Sequence, residues 1–394
     1  MVSTKTILAI LFMSSVNNSI QSRLTSIDAL RGLAALIIVI YHARPIFWIG
    51  LAQTWRSYGL SPNINAWLGY ATFPLSFGGL AVDLFFVLSG YCIHRRGARN
   101  LASNSHSKLN LRQFFLRRFL RIYPVYFFSL CVTAIVDYYI IFNNPELVIS
   151  GQENSLFSFL TSLLSLQGLV APTFGSNTVF WTLALEIHFY LFYPLCYYLC
   201  RRYGTVIALG FIWISSLGYI IVDVLINLSD KFPHKGSGGP VFLSYWFIWG
   251  LGFYLAEVEA GRISLPKKFL PVTLIAAILT VPMSLLDFWP LARFSSGLAF
   301  AGLLYWSISK DGEYFWKGLI GKWLSIIGVF SYSIYAIHRP VLLFFQAKFA
   351  PDGAKSTNLM PTLLATALAL VVGWFFFMLV ERWTVKPYSI KKVN

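Results

Sequence analysis

Runs of about 20 apolar residues, long enough to cross the hydrocarbon core of a bilayer, recur along the chain. They lie near residues 30–50, 77–93, 122–142, 179–200, 205–227, 241–257, 269–286, 290–308, 324–347 and 360–381. Lipid offers the backbone no hydrogen bonds, so a spanning run must satisfy its own and becomes helix. The pattern predicts an all-α polytopic integral membrane protein with ten transmembrane helices. The stretch 155–171 is shorter and rich in serine, and reads as a re-entrant or interfacial helix. Counting it as a further span would break the alternation of basic and non-basic loops.

That alternation sets the direction, because Lys and Arg concentrate in cytoplasmic loops. Eight basic residues lie between 94 and 121, and further groups follow at Arg201–Arg202, Arg262–Lys268, Lys310–Lys322 and in the C-terminal tail. With Lys5 and Arg23, that side holds 22 basic residues against seven in the opposite loops (Arg44, Arg56, Lys231, Lys235, Arg293, Lys348 and Lys355). Ten spans with both termini cytoplasmic follow. Residues 1–26 contain a lysine, a short apolar run and small residues, as a signal peptide does. Translocating that end would disturb the topology, so a cytoplasmic or surface-lying overhang is expected. The membrane domain is expected over 27–388 and a short basic tail over 389–394, with no extramembrane domain appended.

Composition narrows the class. Hydrophobic residues make up 57% and charged residues 12%, about half the charged share of a soluble domain. A soluble multidomain protein, a disordered chain and a disulfide-stapled scaffold are thereby excluded. The net charge of +16 sits between apolar runs, and no run alternates basic with aromatic residues, so no nucleic-acid partner is expected; the lipid bilayer is the expected surrounding. Cys92, Cys131, Cys196 and Cys200 show no metal spacing and read as packing residues. No HExxH, phosphate-binding loop, dinucleotide glycine fingerprint or GxSxG elbow is present, and no metal is expected.

Ionisable side chains inside a span are costly and mark candidate sites. Arg31 and His42, in SIDALRGLAALIIVIYHA, are eleven residues apart. They share a helix face, separated by roughly 16 Å along the axis. His42 suits general-base work on a hydroxyl; a hydrogen-bonded core histidine beside a snorkelling arginine is the bland alternative. Asp83, among Phe85, Phe86 and Val87, calls for a partner, with Arg31 or His42 the natural candidates. Ser89 and Gly90 allow close approach of a helix or ligand. Arg117, Arg118 and Arg121 stand at the cytoplasmic end of the third span, where they can hold phosphate or anchor the span. Glu186 and His188 point to different faces of the fourth span; Glu186 is the site candidate and His188 a packing residue. Ser331, Ser333, Tyr335, His338 and Arg339 are expected to face the interior, whereas His94, His106 and His234 read as solvated loop residues.

Together these motifs resemble the membrane acyltransferase-3 family, whose bacterial members include O-antigen and exopolysaccharide O-acetyltransferases. The resemblance runs from about Ile27 to Tyr388. It is carried by IDALRG…YHA with Arg31 and His42, then VDLFFVLSG, RRFLRIYP, WTLALEIHFY and SYSIYAIH, in family order. It implies that acetyl-CoA donates an acyl group from the cytoplasmic side to a carbohydrate hydroxyl at the outer face of a bacterial inner membrane. It further implies that Arg31 and His42 are essential, and that Arg117, Arg118 and Arg121, with Ser89, contact the donor. The mechanism expected is direct transfer with His42 as base, oriented by Asp83 or Glu186; a route through acyl-His42 stays open. The rival class is a transporter or flippase of an envelope glycan, whose intramembrane charges would line a pathway, though no internal repeat is visible.

Overall fold

The computed structural model describes residues 25–149, 151–226 and 241–385. Residues 1–24, His234 and the tail at 389–394 lie outside them. Helix α1 (Thr25–Phe47) is followed by two short helices, α2 (Gly50–Tyr58) and α3 (Ile64–Ala71), and a 3₁₀ segment (Phe73–Leu80) that runs into α4 (Ala81–Ser103). Then come α5 (Leu111–Asn143), the two-turn α6 (Leu156–Leu163), α7 (Phe180–Tyr203), α8 (Thr205–Ile226) and α9 (Leu243–Glu259). The chain continues through α10 (Phe269–Leu285), α11 (Trp289–Ser307), α12 (Lys310–Trp316), α13 (Leu319–Val329), α14 (Ser331–Phe349) and α15 (Met360–Phe376). A π-helical turn, Phe377–Glu381, leads into α16 (Arg382–Val385). Among the described residues there is no strand, only three isolated bridges.

Each apolar run expected to span is helical, although the run 324–347 is divided between α13 and α14 and the run 77–93 begins in the 3₁₀ segment. Six helical segments are long and apolar enough to cross a membrane, or seven if α13 and α14, bent by 73° at Phe330, form one broken span. Helices α9 and α10, at 17 residues each, and α11, which carries Arg293, Ser295 and Ser296, fall outside that set. The outward surface is apolar: Val206 and Ile214 on α8 are 76% and 74% exposed, a cost in water that lipid removes. The protein is a multi-pass, all-helical membrane protein. Helix α5, with 33 residues, is about 50 Å long and outruns the hydrocarbon core, so its first three turns, with Arg112, Arg117, Arg118 and Arg121, project beyond the apolar stretch.

Two pairs of glycines set the inner packing. Small residues let helix backbones meet where lipid supplies no hydrophobic drive between helices. A Cβ on Gly90 of α4 would collide with the Trp249 carbonyl of α9, and one on Gly252 of α9 with the Val87 carbonyl of α4. Likewise Gly32 of α1 lies against the backbone of Leu324, and Gly328 of α13 against that of Asp28. These contacts seat α1 against α13 and α4 against α9. A third constraint comes from Pro340, inside α14. Proline lacks an N–H and frees the carbonyl four residues earlier. That carbonyl, on Ala336, accepts from Asn177 Nδ2 at 2.8 Å, which ties the segment before α7 to α14 two residues from His338.

Candidate functional site

Arg31, Ser89, Cys92, Arg118, Arg121, Glu186 and Tyr190 line one cavity of about 80 Å³, closed on the α14 side by Ser331, Tyr332 and Tyr335. Five candidate residues from four helices are thus brought together. Arg31 donates to Asp28 Oδ1 and Cys92 Sγ, both at 3.2 Å. Glu186 accepts from Tyr190, its i+4 neighbour, and from Ser89 at 3.4 Å. Arg118 lies 5.3 Å over the ring of Tyr190. Arg117 opens into an adjoining cavity of about 290 Å³ with Arg96, Asn100, Lys108 and Asn110, and the two cavities share Cys92 and Arg118. The basic end of the bundle therefore carries a vestibule of guanidinium, ammonium and amide groups leading to a narrow polar pocket at Arg31.

His42 lies further along α1 and lines a different cavity, of about 480 Å³, with Tyr41, Arg44, Trp48, Ser76 and Arg339. Its Nδ1 is 3.0 Å from His338 Nε2. His338 is fully buried, and its Nδ1 lies 2.8 Å from the Tyr335 carbonyl and 3.3 Å from that of Ile334. A carbonyl oxygen only accepts, so His338 Nδ1 carries the proton and its Nε2 is the acceptor. His42 Nδ1 must then donate to it, which leaves the lone pair on His42 Nε2. The backbone of α14 thus fixes the tautomer of His338, and His338 fixes that of His42. Tyr335 lines the Arg31 cavity and packs on His338, with ring centres 5.7 Å apart, and its hydroxyl pairs with Thr182 at 2.7 Å. Tyr335, His338 and His42 form the wall between the two cavities.

Three expectations are corrected. Asp83 pairs with neither Arg31 nor His42. Arg293 of α11 donates to it at 2.8 Å, and the Ser296 hydroxyl donates to its other oxygen. The physical reason is that α11 packs on α4 and places Arg293, assigned from sequence to an outer loop, beside the fully buried carboxylate, while Arg31 turns to Asp28. Nor does a carboxylate orient His42: Asp83 is bound by α11, Glu186 lies in the Arg31 cavity, and His338 occupies the orienting position. His94 is corrected as well. It is fully buried, stacked at 3.5 Å on Phe253, and bonded to Glu257 at 2.7 Å. Donor atoms of His94, Cys200 and Glu257 converge within 4.8 Å, but Arg262 donates to Glu257 at 2.8 Å and to Cys200 at 3.3 Å. A guanidinium already supplies the cation there. His106 is exposed, and His188 packs against Phe242 away from both cavities.

From the sequence His338 reads as interior without a role, and Arg44 and Arg293 read as loop charges. The histidine in SYSIYAIH was the signal available. Its pairing with His42 bridges 296 residues and has no local periodicity to betray it.

Residues 24–378 match a family model described as an acyltransferase domain. The chain is 26% identical over 376 residues to the O-acetyltransferase OatA of Staphylococcus aureus, covering 90% of this chain and 56% of that protein. It is 26% identical over 385 residues to the acyltransferase MdmB of Streptomyces mycarofaciens, covering 91% of each. It is 24% identical over 392 residues to the peptidoglycan O-acetyltransferase OatA of Listeria monocytogenes, covering 90% of this chain and 55% of that protein. The chain spans about half the length of both OatA relatives. No solved structure matches it.

Proposed function

The chain belongs to the membrane acyltransferase-3 family, and from that premise we propose that it is an O-acetyltransferase moving an acetyl group from acetyl-CoA to a hydroxyl of a cell-surface carbohydrate. The observation that carries the reading is the His42–His338 pair, 3.0 Å apart, at a cavity separated by one wall from the basic vestibule. In this reading ten helices span a bacterial inner membrane, the vestibule and both termini are cytoplasmic, and the His42 cavity opens outward.

Arg117 and Arg118, with Arg96 and Lys108, offer the cationic groups that the CoA phosphates require. Arg121 and Arg31 line the path inward, while Ser89 supplies a hydroxyl donor and Glu186 a carboxylate acceptor for the pantetheine amides. Tyr335 would have to swing aside for the thioester to reach His42. The acceptor hydroxyl then binds at His42 Nε2. Its oxygen forms a bond with the thioester carbon as His42 takes the proton; the carbon–sulfur bond breaks, and CoA leaves as the thiol with the proton returned by His42. The imidazolium formed in between strengthens its bond to neutral His338, a service that carboxylates perform in other acyl-transfer sites. The test is the purified protein in vesicles with labelled acetyl-CoA and a mixture of surface glycans. Acetyl-ester formation that His42→Ala abolishes supports the proposal; ester formation undiminished in that variant ends it.

A further inference from the structure

Arg44 is 93% buried by its 7% exposure, yet among the described residues no carboxylate forms an ion pair with it. One terminal nitrogen donates to Ser76 Oγ at 3.1 Å, and the guanidinium lies 5.0 Å over Trp48. Its Nε is buried without a hydrogen-bond partner, as is Trp48 Nε1. Across the same cavity Arg339 donates through Nε to the Ser176 carbonyl at 3.1 Å. Asp137, which also meets Ser176, is taken up by the Ser176 N–H at 2.8 Å and its hydroxyl at 2.5 Å and makes no ion pair with Arg339. No Asp or Glu lines this cavity.

Burying a charge is costly unless it is paired. Elsewhere in the bundle the rule is kept: Arg293 has Asp83, Arg262 has Glu257, and Arg95 has Glu259. Arg44, without a carboxylate, and Arg339, within the field only of an Asp137 that Ser176 already holds, face one cavity with orphaned donors beside them and form a site whose missing component is an anion. We infer that the acceptor brought to His42 carries an anionic group, a carboxylate or a phosphate, seated between Arg44 and Arg339. This rests on reading the cavity as the acceptor site. Arg44 is two residues beyond His42 in the last turn of α1, so an anion held there places a hydroxyl of the same or the neighbouring sugar at His42 Nε2. The donor's phosphates are excluded as occupants, because their cationic vestibule lies at the other end of the bundle.

The test uses the full chain in vesicles with acetyl-CoA and acceptors that differ in one group. They are a neutral disaccharide, its uronic-acid counterpart, its phosphate ester and its polyprenyl-phosphate-linked form. A charge-assisted hydrogen bond is worth enough to give about a tenfold preference in kcat/KM or more. The preferred anionic form tells a sugar carboxylate from a lipid phosphate. The preference should shrink toward unity in Arg44→Gln, chiefly through KM, and persist in Arg44→Lys. Equal rates on neutral and anionic acceptors overturn this inference alone, as does an Arg44→Gln loss that is the same for every acceptor. Absence of both transfer and CoA release in the wild-type protein removes the acyl-transfer reading and this inference with it.

Discussion

Replacing His338 by alanine isolates the orienting role of the second histidine. The substitution removes the acceptor 3.0 Å from His42 Nδ1 and leaves the Ile38 backbone as the ring's remaining hydrogen-bond partner. In the resting state the lost bond joins two neutral groups, worth about 0.5–1.5 kcal/mol, whereas in the transition state the donor is an imidazolium, worth about 1.5–3 kcal/mol. The difference is about 1–1.5 kcal/mol of transition-state stabilisation, or roughly 5–13-fold in rate. Looser placement of the ring adds to this, so a total fall in kcat of about 10–100-fold is expected, with acceptor KM little changed. His42→Ala should lose about 10²–10⁴-fold. The double variant should be no worse than His42→Ala, because His338 acts only through His42 and such pairs are strongly non-additive. The assay is acetyl-ester formation by protein reconstituted in vesicles at saturating donor. A His338→Ala enzyme with more than half the wild-type kcat would refute the reasoning, and so would a double variant showing the product of the two single losses.

Further outcomes follow from other parts of the bundle. Arg118→Ala should raise donor KM by about tenfold through a lost charge-assisted contact and leave acceptor KM unaltered; steady-state kinetics with each substrate varied separately checks this. Asp83→Ala strands Arg293 in the bundle and should cost about 3–5 kcal/mol, read as a lower Tm in detergent, while Asp83→Leu with Arg293→Met should recover most of it. Gly252→Val should prevent α4 from seating on α9 and reduce the yield of folded protein, because the new side chain meets the Val87 backbone. Asn177→Ala leaves the Ala336 carbonyl freed by Pro340 without a donor, and should lower stability by about 1–3 kcal/mol, measured by the same thermal assay.

The sequence carried the helices well, because spans in lipid need a length of apolar chain that is legible residue by residue. It also singled out Arg31, Ser89, Arg118, Arg121 and Glu186, which line one cavity, because ionisable and small polar residues stand out in apolar runs. Tertiary pairings were not legible in the same way. Asp83 needed a cation, but which one depended on α11 folding back against α4, and Arg293 sits one turn inside a helix that begins at Trp289. His94 looked like the start of a basic loop because Arg95 and Arg96 follow it, yet α4 continues to Ser103 and turns the imidazole inward to Glu257. His338 had an apolar setting in the sequence and nothing nearby to bond to. Its role appears only once α1 and α14 are side by side.

The central claim is that His42, set by His338, transfers an acetyl group to a surface glycan. It is tested most directly by comparing alkali-labile O-acetyl groups on surface polysaccharide from cells carrying the wild-type gene and cells carrying His42→Ala at equal protein level. NMR and mass spectrometry before and after mild alkali give the signal and its sugar position. An ester present with the wild-type protein and reduced to below about a tenth with His42→Ala is expected. An unchanged ester content in the His42→Ala cells would contradict it.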